Sequence, residues 1–243
     1  MRPHLSLVIP AYNEALRIGP SIAALGEFGR ALAFPYEIIL VIERSSDGTL
    51  AVARELTNLQ PQFTVIDNAV HRGKGFAVRA GMLRAEGEFV FYMDADLSVP
   101  LHEVGNFLAQ FAARPEVAVL IGNRQHPQSR IIRKQSFLRR KLGQGFNVIL
   151  KRLQLAALYD TQCGFKAFRA EAAQAIFSRQ TIDGFAFDVE VLLLARALGF
   201  KVADLPVEWI NSTESHVHII ADSLAMLRDA IRLRRLAVGL KPR

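Results

Sequence analysis

The sequence predicts an α/β fold built on a doubly wound, mostly parallel sheet with helices on both faces. Its 243 residues, of which 51% are hydrophobic, suffice for one large domain with a full core. Short β-branched runs alternate with helical patterns through the first half, which is the order typical of a parallel sheet. The run at 36–42 (YEIILVI) is almost continuously apolar, as in a strand buried on both faces. In such sheets ligands bind beyond the carboxyl ends of the strands.

The individual elements follow from the spacing of apolar residues. Predicted strands cover 5–9, 36–42, 63–66, 88–93, 117–121 and 201–209, with a loop and a short strand over 159–168. Predicted helices cover 14–32, 48–59, 74–85, a segment from 101 onward, 136–153, 187–198 and a final stretch from 217. In that final stretch apolar residues recur at intervals of three and four, which is typical of an amphipathic helix. We therefore assign 1–212 to one domain and 213–243 to a C-terminal basic helix and tail that is not an independent domain.

The net charge of +7 is unevenly distributed. Segment 117–159 contains nine Lys and Arg residues and no acid, and segment 228–243 contains six basic residues and one acid. Removing those nine and five net positive charges from the total of +7 leaves −7 for the rest of the chain. The sequence therefore indicates an acidic body with two basic segments. A nucleic-acid-binding protein is an alternative, but 124–152 has few aromatic residues on which bases would stack.

Compartment is indicated by what the chain lacks. Cys163 is the single cysteine, which excludes an intrachain disulfide and fits a reducing compartment. No apolar run approaches the roughly 18 residues of a spanning helix, and the first residues lack the features of a signal peptide. We expect a cytoplasmic protein that is soluble or peripheral at the cytoplasmic face of a membrane.

The strongest polar cluster is Asp94-Ala95-Asp96, which follows the apolar strand at 88–93. Two acids at the end of a buried strand would repel each other unless a cation lay between them. Hard oxygen ligands suit Mg²⁺ or Mn²⁺, with substrate phosphates completing the coordination shell. The structural alternative is a pair of solvated loop acids.

Three further clusters precede it in the chain. The first strand ends in a turn at Pro10-Ala11-Tyr12-Asn13-Glu14, which would expose backbone N–H groups and an aromatic ring that could hold a base. The alternative is an ordinary turn in which Asn13 caps the next helix. Glu43, directly after the second strand, could accept the imide N–H of a uracil. Gly73-Lys74-Gly75 lies at a helix start, where phosphate binds readily, although such a pattern also marks ordinary turns.

Two clusters lie later in the chain, at 160–168 (DTQCGFKAF) and at Asp188-Val189-Glu190. Acids in the first turn of a helix are favoured by the helix dipole, so a purely structural role is open for either cluster.

Taken in order, these clusters resemble the family-2 glycosyltransferases of GT-A fold, and most closely the polyprenyl-phosphate (dolichyl-phosphate) sugar transferases. The resemblance covers about 5–235 and includes VIPAYNE at 8–14, DGT at 47–49, GKG at 73–75, MDAD at 93–96 and DTQCGFK at 160–166. The last of these, FAFDVE at 185–190 and the stretch from Trp209 to Ser215 look most like the glucosyl branch, since the mannosyl branch usually has Ser-Gly-Phe-Arg in that loop.

The resemblance implies inverting transfer of a hexose, with UDP-glucose as the expected donor, to a polyprenyl phosphate by a catalytic domain over 1–212. Residues implied in catalysis are Asp94, Asp96, Asp160 and Asp188, the first two as ligands of Mg²⁺ or Mn²⁺. Residues implied in binding the nucleotide sugar are Pro10, Ala11, Tyr12, Glu14, Glu43, Gly73, Lys74, Arg79, Asp94, Ala95 and Asp96. Residues implied in binding the acceptor are Arg124, Arg139, Gln162, Cys163, Gly164 and Phe165.

The chain departs from the family pattern at three places. The family usually has two Asp and then Gly or Asn where this chain has Ile42-Glu43-Arg44, so uracil would be held differently and guanine donors stay open. His71 stands where Asn is usual, and Ser98 stands where some relatives have a metal-side Gln.

A polyprenyl phosphate acceptor implies work at a membrane, which gives the two basic segments a role. Basic residues near a bilayer contribute about 1 kcal/mol each toward anionic lipid. The helix from 217, with Arg228, Arg232, Arg234 and Arg235 near its end, would then lie in the interface plane, or else pack on the body with solvated charges. We expect no nucleic-acid partner and leave homo-oligomerisation open. Alternative functions are a family-2 transferase with another donor or a hydroxyl acceptor, for which Asp188 would be the candidate base, and a nucleotide-binding module without activity.

Overall fold

The computed structural model describes residues 2–133 and 160–210, together with Asp229 and Leu233. The strands in chain order are β1 (Leu5–Ala11), β2 (Tyr36–Glu43), β3 (Phe63–Asn68), β4 (Phe89–Tyr92), β5 (Val117–Asn123), β6 (Arg130–Arg133), β7 (Lys166–Arg169), β8 (Lys201–Pro206) and β9 (Glu208–Ile210). The helices are α1 (Ile18–Arg30), α2 (Thr49–Thr57), α3 (Lys74–Arg84), α4 (Glu103–Ala113), α5 (Ala170–Phe177) and α6 (Phe187–Ala197).

Seven strands form the central sheet, in the order β3-β2-β1-β4-β7-β5-β8. β1 pairs in parallel with β2 on one side and β4 on the other, whereas β7 runs antiparallel to both of its neighbours. The carboxyl ends of β1, β2 and β4 therefore meet at one edge, as expected for a mostly parallel sheet. A second, two-stranded sheet pairs β6 with β9.

The sheet has a hydrophobic core on each face because successive side chains of a strand point to opposite sides. On β1, Leu7 and Ile9 belong to one core with residues of α1 and α4, whereas Val8 belongs to the other with residues of α3, α5 and α6. Both cores consist of fully buried aliphatic and aromatic side chains. The sheet is thus covered on both faces, and the predicted α/β class is confirmed.

At two places the observed elements depart from the predicted boundaries by more than two residues. α1 begins at Ile18 rather than at 14, because Asn13 has a φ of 52° and the Glu14 carbonyl accepts hydrogen bonds from the backbone N–H groups of Arg17 and Ile18 in a preceding turn. The strand predicted over 201–209 is divided into β8 and β9, which belong to different sheets. Pro206, at the division, has no N–H to continue the first ladder, and the N–H of Val207 donates to Ser129 Oγ instead.

Several predictions fall outside the described residues. These are the helix at 136–153 with Arg139, and most of the C-terminal segment at 213–243. Within that segment Asp229 and Leu233 are helical, and Leu233 is buried in the core that includes α3, α5 and α6. Of the residues described, none belongs to a helix with the length and apolarity that a bilayer crossing requires.

Candidate active site

The predicted metal-binding acids lie at the carboxyl end of β4, opposite the start of α3. Lys74, the first residue of α3, places its Nζ 2.6 Å from Asp94 Oδ1, and the Asp94 side chain remains 39% exposed. Burial lowers the pKa of Lys74, but the nearby carboxylates of Asp94, Asp188 and Asp96 outweigh burial and raise it, so the ammonium stays charged. Gly73 allows the start of α3 to pack closely against the backbone at Asp183, because a Cβ there would lie 2.7 Å from the Asp183 carbonyl oxygen. Its φ of 122° also favours glycine.

The backbone after Asp94 is held in an unusual conformation. Leu97 has a φ of 49°, its N–H donates to the Asp94 carbonyl, and the N–H of Ser98 donates to Asp96 Oδ1 at 3.0 Å. Ala95 is buried, and its carbonyl accepts a hydrogen bond from Ser21 on α1. A non-glycine residue in the left-handed region is strained, and such strain concentrates at functional loops.

The loop at 160–165 packs directly against Asp94. A Cβ on Gly164 would collide with the Asp94 carboxylate, so glycine at this position allows that carboxylate to lie against the loop. Phe165 anchors the loop in the core between Phe91 and Phe107, at ring-centroid distances of 5.8 Å and 4.7 Å. The predicted acceptor residues Gly164 and Phe165 are thus brought next to the predicted metal site.

Arg124, after β5, forms a bidentate ion pair with Asp160 at the start of that loop. Its Nε and terminal nitrogen donate to the two carboxylate oxygens at 2.6 Å and 2.8 Å, and its backbone N–H also donates to Asp160. Burial raises the pKa of Asp160, but the hydrogen bonds and charge of Arg124 outweigh it and hold the pKa below its ordinary value. The guanidinium also lies 5.5 Å from the centroid of the Trp209 ring.

Asp188 lies in a buried network beneath the same loop. Its carboxylate accepts hydrogen bonds from the Tyr92 hydroxyl at 2.5 Å and from the Lys166 ammonium, which also donates to the Cys163 carbonyl at 2.6 Å. The Lys166 and Asp188 side chains are 0% and 3% exposed. Burial and the charge of Asp188 raise the pKa of Tyr92 well above its ordinary value. The Asp188 carboxylate is therefore paired within the chain, with the Lys166 ammonium and the Tyr92 hydroxyl.

The predicted nucleoside residues lie at the ends of β1 and β2. The Tyr12 ring stacks on the His71 ring, with centroids 3.8 Å apart and planes inclined by 12°. Glu43 is 2% exposed, and its carboxylate accepts the backbone N–H groups of Arg72 and Gly73 and lies 2.5 Å from His71 Nδ1. Both carboxylate oxygens of Glu43 therefore have hydrogen-bond partners within the chain itself.

The DGT cluster joins the two loops at this edge. Asp47 accepts the backbone N–H groups of Ala15 and Thr49, while the Ser45 and Thr49 hydroxyls accept those of Asn13 and Glu14. The N–H groups that the first turn was predicted to expose are therefore occupied. The Glu14 carboxylate forms an ion pair with Arg17 at 2.6 Å. Pro10 and Ala11 are strand residues of β1, and they hold the position of Tyr12 through pairing with β2.

Arg79 is bound to the segment at 180–183. It donates to the Gln180 carbonyl at 2.9 Å and lies 3.4 Å from Asp183, which also pairs with Arg72. Sequence reasoning gave no role to Tyr92, Lys166 or Asp183, each of which joins segments distant in the chain. The available signal was a tyrosine in the apolar strand β4 and a lysine directly after Phe165, where a buried polar or charged group needs a partner.

Comparison with known proteins identifies the class. Residues 6–177 match the family model described as Glycosyl transferase family 2, and the chain belongs to that family. It is therefore a glycosyltransferase, and the predicted GT-A fold is confirmed.

Among the relatives, the chain is similar to the dolichyl-phosphate beta-glucosyltransferase of Dictyostelium discoideum, with 32% identity over 95% of this chain and 74% of the relative. It is also similar to the human dolichyl-phosphate beta-glucosyltransferase, with 33% identity over 96% of this chain and 76% of the relative. Among solved structures, it resembles Mycobacterium tuberculosis glucosyl-3-phosphoglycerate synthase in complex with Mn²⁺, UDP-glucose and phosphoglyceric acid. That alignment has a TM-score of 0.68 at 17% identity and covers 99% of this chain and 81% of the other.

Proposed function

We propose that this enzyme transfers glucose with inversion from UDP-glucose to a dolichyl or other polyprenyl phosphate. The observation that carries the proposal is the pairing of Asp160 with Arg124 and of Asp188 with Lys166 and Tyr92. Transfer to a hydroxyl needs a carboxylate free to take a proton. Transfer to a phosphate does not, because the acceptor is already an anionic nucleophile near neutral pH, with a second pKa of about 6.

The similarity to dolichyl-phosphate beta-glucosyltransferases over most of the chain supports the same acceptor and sugar. Arg124 would face the acceptor phosphate, and the position of its side chain at the loop that contacts Asp94 supports this role. Thr161 Oγ1 and Gln162 Nε2 in that loop are buried without a hydrogen-bond partner among the described residues. Buried polar atoms of this kind fit a bound polar ligand such as a sugar.

A divalent cation fits the carboxyl end of β4. Within residues 2–133 and 160–210 no group of three His, Cys, Asp or Glu side chains is placed to hold a metal on its own. Two carboxylates, Asp94 and Asp96, suit Mg²⁺ or Mn²⁺, which take their remaining ligands from substrate phosphates and water. The M. tuberculosis structure contains Mn²⁺ with UDP-glucose, in agreement with this assignment. When bound, such an ion would neutralise negative charge on the leaving diphosphate.

The chain's own groups would perform the other steps. Lys74 would bind the diphosphate and stabilise its charge as the glycosidic bond breaks. Tyr12 would stack against the nucleobase, and Gly164 would allow the acceptor loop to approach Asp94 closely enough to exclude water. Asp188 would hold Lys166, and Lys166 would hold the Cys163 carbonyl, so that the loop keeps its position during transfer.

The test is a panel of nucleotide sugars offered with a short polyprenyl phosphate and Mg²⁺ or Mn²⁺, with products detected by mass spectrometry. We expect glucosyl polyprenyl phosphate from UDP-glucose, and loss of turnover in Asp94→Asn. Glu116→Gln is the matched control, since Glu116 is an exposed acid beside β5. Full metal-dependent turnover in Asp94→Asn, or products only with hydroxyl acceptors, would contradict the proposal.

We also propose that the enzyme works at the cytoplasmic face of a membrane, with 213–243 as its C-terminal element. The two basic segments support attraction to anionic lipid. Leu233 of this segment is buried in the core that includes α3, α5 and α6, which supports attachment of the segment to the body. Flotation with anionic vesicles should recover the protein, whereas uncharged vesicles should not. Equal recovery from both would contradict attraction by charge.

A further inference from the structure

The Tyr12–His71–Glu43 group has features that the proposed reaction does not use. Glu43 is buried, and the His71 side chain, which is 45% exposed, contacts it. The Tyr12 ring stacks on the His71 ring. This arrangement connects a buried carboxylate to the surface of the predicted nucleoside site through an imidazole ring.

The hydrogen bonds determine which nitrogen of His71 carries a proton. The Glu43 carboxylate accepts two backbone N–H groups, so we assign His71 Nδ1 as the donor of the hydrogen bond between the two side chains. In the neutral ring the other nitrogen, Nε2, is then an acceptor. Among the residues that the structure describes, Nε2 makes no hydrogen bond, and it lies on the side of the ring away from the buried carboxylate.

The ring plane restricts what Nε2 can bind. The His71 and Tyr12 rings are nearly parallel, with planes inclined by 12°. A hydrogen bond to Nε2 lies in the plane of the imidazole, so a flat partner that is also coplanar with the imidazole would be parallel to the Tyr12 ring. A nucleobase that presents an N–H on its edge satisfies both conditions.

We propose that His71 is the nucleobase-specificity residue, whose Nε2 accepts the ring N–H of a uracil or guanine, and that Glu43 is a positioning residue that fixes the tautomer of His71. This inference rests on the proposed function, since it assumes a nucleotide donor. It replaces direct contact between Glu43 and the base. Cytosine and adenine have an unprotonated ring nitrogen at the corresponding position and would meet Nε2 acceptor to acceptor.

The experiment measures dissociation constants by calorimetry, with Mg²⁺, for UDP, N3-methyl-UDP, GDP, CDP and ADP. We expect UDP or GDP to bind at least about ten-fold more tightly than CDP and ADP, because an unmade hydrogen bond leaves a polar group unsatisfied. UDP should exceed N3-methyl-UDP by about the same factor. His71→Phe keeps the stacking on Tyr12 but has no nitrogen, so it should bind UDP and N3-methyl-UDP within about two- to three-fold of each other.

Two further variants separate reading of the base from structural support. His71→Gln offers an amide oxygen and should keep part of the preference for UDP over CDP. Glu43→Gln can donate to Nδ1, which permits the opposite tautomer, so it should reduce the ratio of UDP to CDP affinity even if the protein remains folded. Circular dichroism and thermal unfolding would confirm folding of each variant.

The outcomes are distinguishable from failure of the proposed function. An unchanged N3-methyl penalty in His71→Phe would mean that the methyl group clashes elsewhere, and this would overturn the inference alone. Equal affinity of the wild type for UDP, CDP and ADP would also overturn it while leaving a nucleotide-sugar transferase in place. Absence of binding to every nucleotide in the panel would remove both the inference and the proposed donor.

Discussion

Replacing Lys166 with methionine should strongly destabilise this protein. Lys166 is fully buried and its ammonium is the cationic partner of Asp188, which is itself 3% exposed. Removing one member of a buried ion pair costs about 3–5 kcal/mol, since the other charge is left without its partner. The Tyr92 hydroxyl would still donate to Asp188, but the Cys163 carbonyl would lose its donor. Against a typical total of about 5–15 kcal/mol, this loss is large.

The assay is urea unfolding followed by circular dichroism, with the midpoint converted through the denaturant slope. At a typical slope of about 1–3 kcal/mol per molar urea, a loss of about 3–5 kcal/mol should lower the midpoint by about 1–5 M. Lys201→Met is the matched control, because Lys201 is exposed at the start of β8 and its loss should cost within about 0.5 kcal/mol. A Lys166→Met variant no less stable than this control would refute the buried pair.

A double variant, Lys166→Met with Asp188→Leu, tests the buried pair further. Replacing both members of a buried pair by apolar groups is often neutral, so much of the lost stability should return. The role of Asp188 is tested by Asp188→Asn, whose amide oxygen keeps the acceptor for Tyr92 and Lys166 but cannot take a proton. If Asp188 only positions the loop, this variant should retain measurable transfer to a polyprenyl phosphate, whereas a loss of the about 10²–10⁴-fold that a general base contributes would assign proton abstraction to Asp188.

Three further predictions concern the loop at 160–165. Gly164→Ala should cost about 1–3 kcal/mol and weaken Mn²⁺ binding measured by calorimetry, because its Cβ collides with Asp94, whereas Gly105→Ala in α4 has free space and should be tolerated. Burial raises the pKa of Cys163 to about 11 from 9.0, so its contribution to stability is present below pH 9 and lost as pH rises through about 11; iodoacetamide should label native protein slowly below that range and urea-unfolded protein quickly. Because the pKa of Asp160 is held below 3.8, its contribution is present above that pH and lost on acidification, and Arg124→Met should flatten this acid limb of stability measured by urea unfolding.

The elements near the site could be predicted because their signals are local. Lys74 begins α3 where Gly-Lys-Gly predicted a helix start, and Asp94 follows β4 where the apolar run ends. The beginning of α1 could not be predicted from periodicity, since the positive φ of Asn13 depends on hydrogen bonds with Ser45 and Ser46, more than 30 residues away.

The partners of the site residues were harder to predict than their positions. Lys166 lies in a motif that the sequence made visible, but its pairing with Asp188 depends on packing α6 beneath β7. Arg79 was expected near a diphosphate from its place on α3, and its guanidinium donates to the Gln180 carbonyl, a partner that the sequence did not indicate. A helix period fixes which face a residue occupies, whereas the partner it meets is fixed by tertiary structure.

The pairing of charges at the site argues for a particular kind of chemistry. Three acids of the site are buried and paired with a basic side chain: Glu43 with His71, Asp160 with Arg124 and Asp188 with Lys166. These carboxylates therefore hold neighbouring segments in position. Asp94 is more exposed than these three acids, and it pairs with Lys74, which would bind the diphosphate. Such a site stabilises departing and arriving phosphates with fixed charge while leaving little capacity to move a proton. A reaction in which both the leaving group and the nucleophile are phosphate oxygens needs that combination, and transfer to a neutral hydroxyl does not fit it.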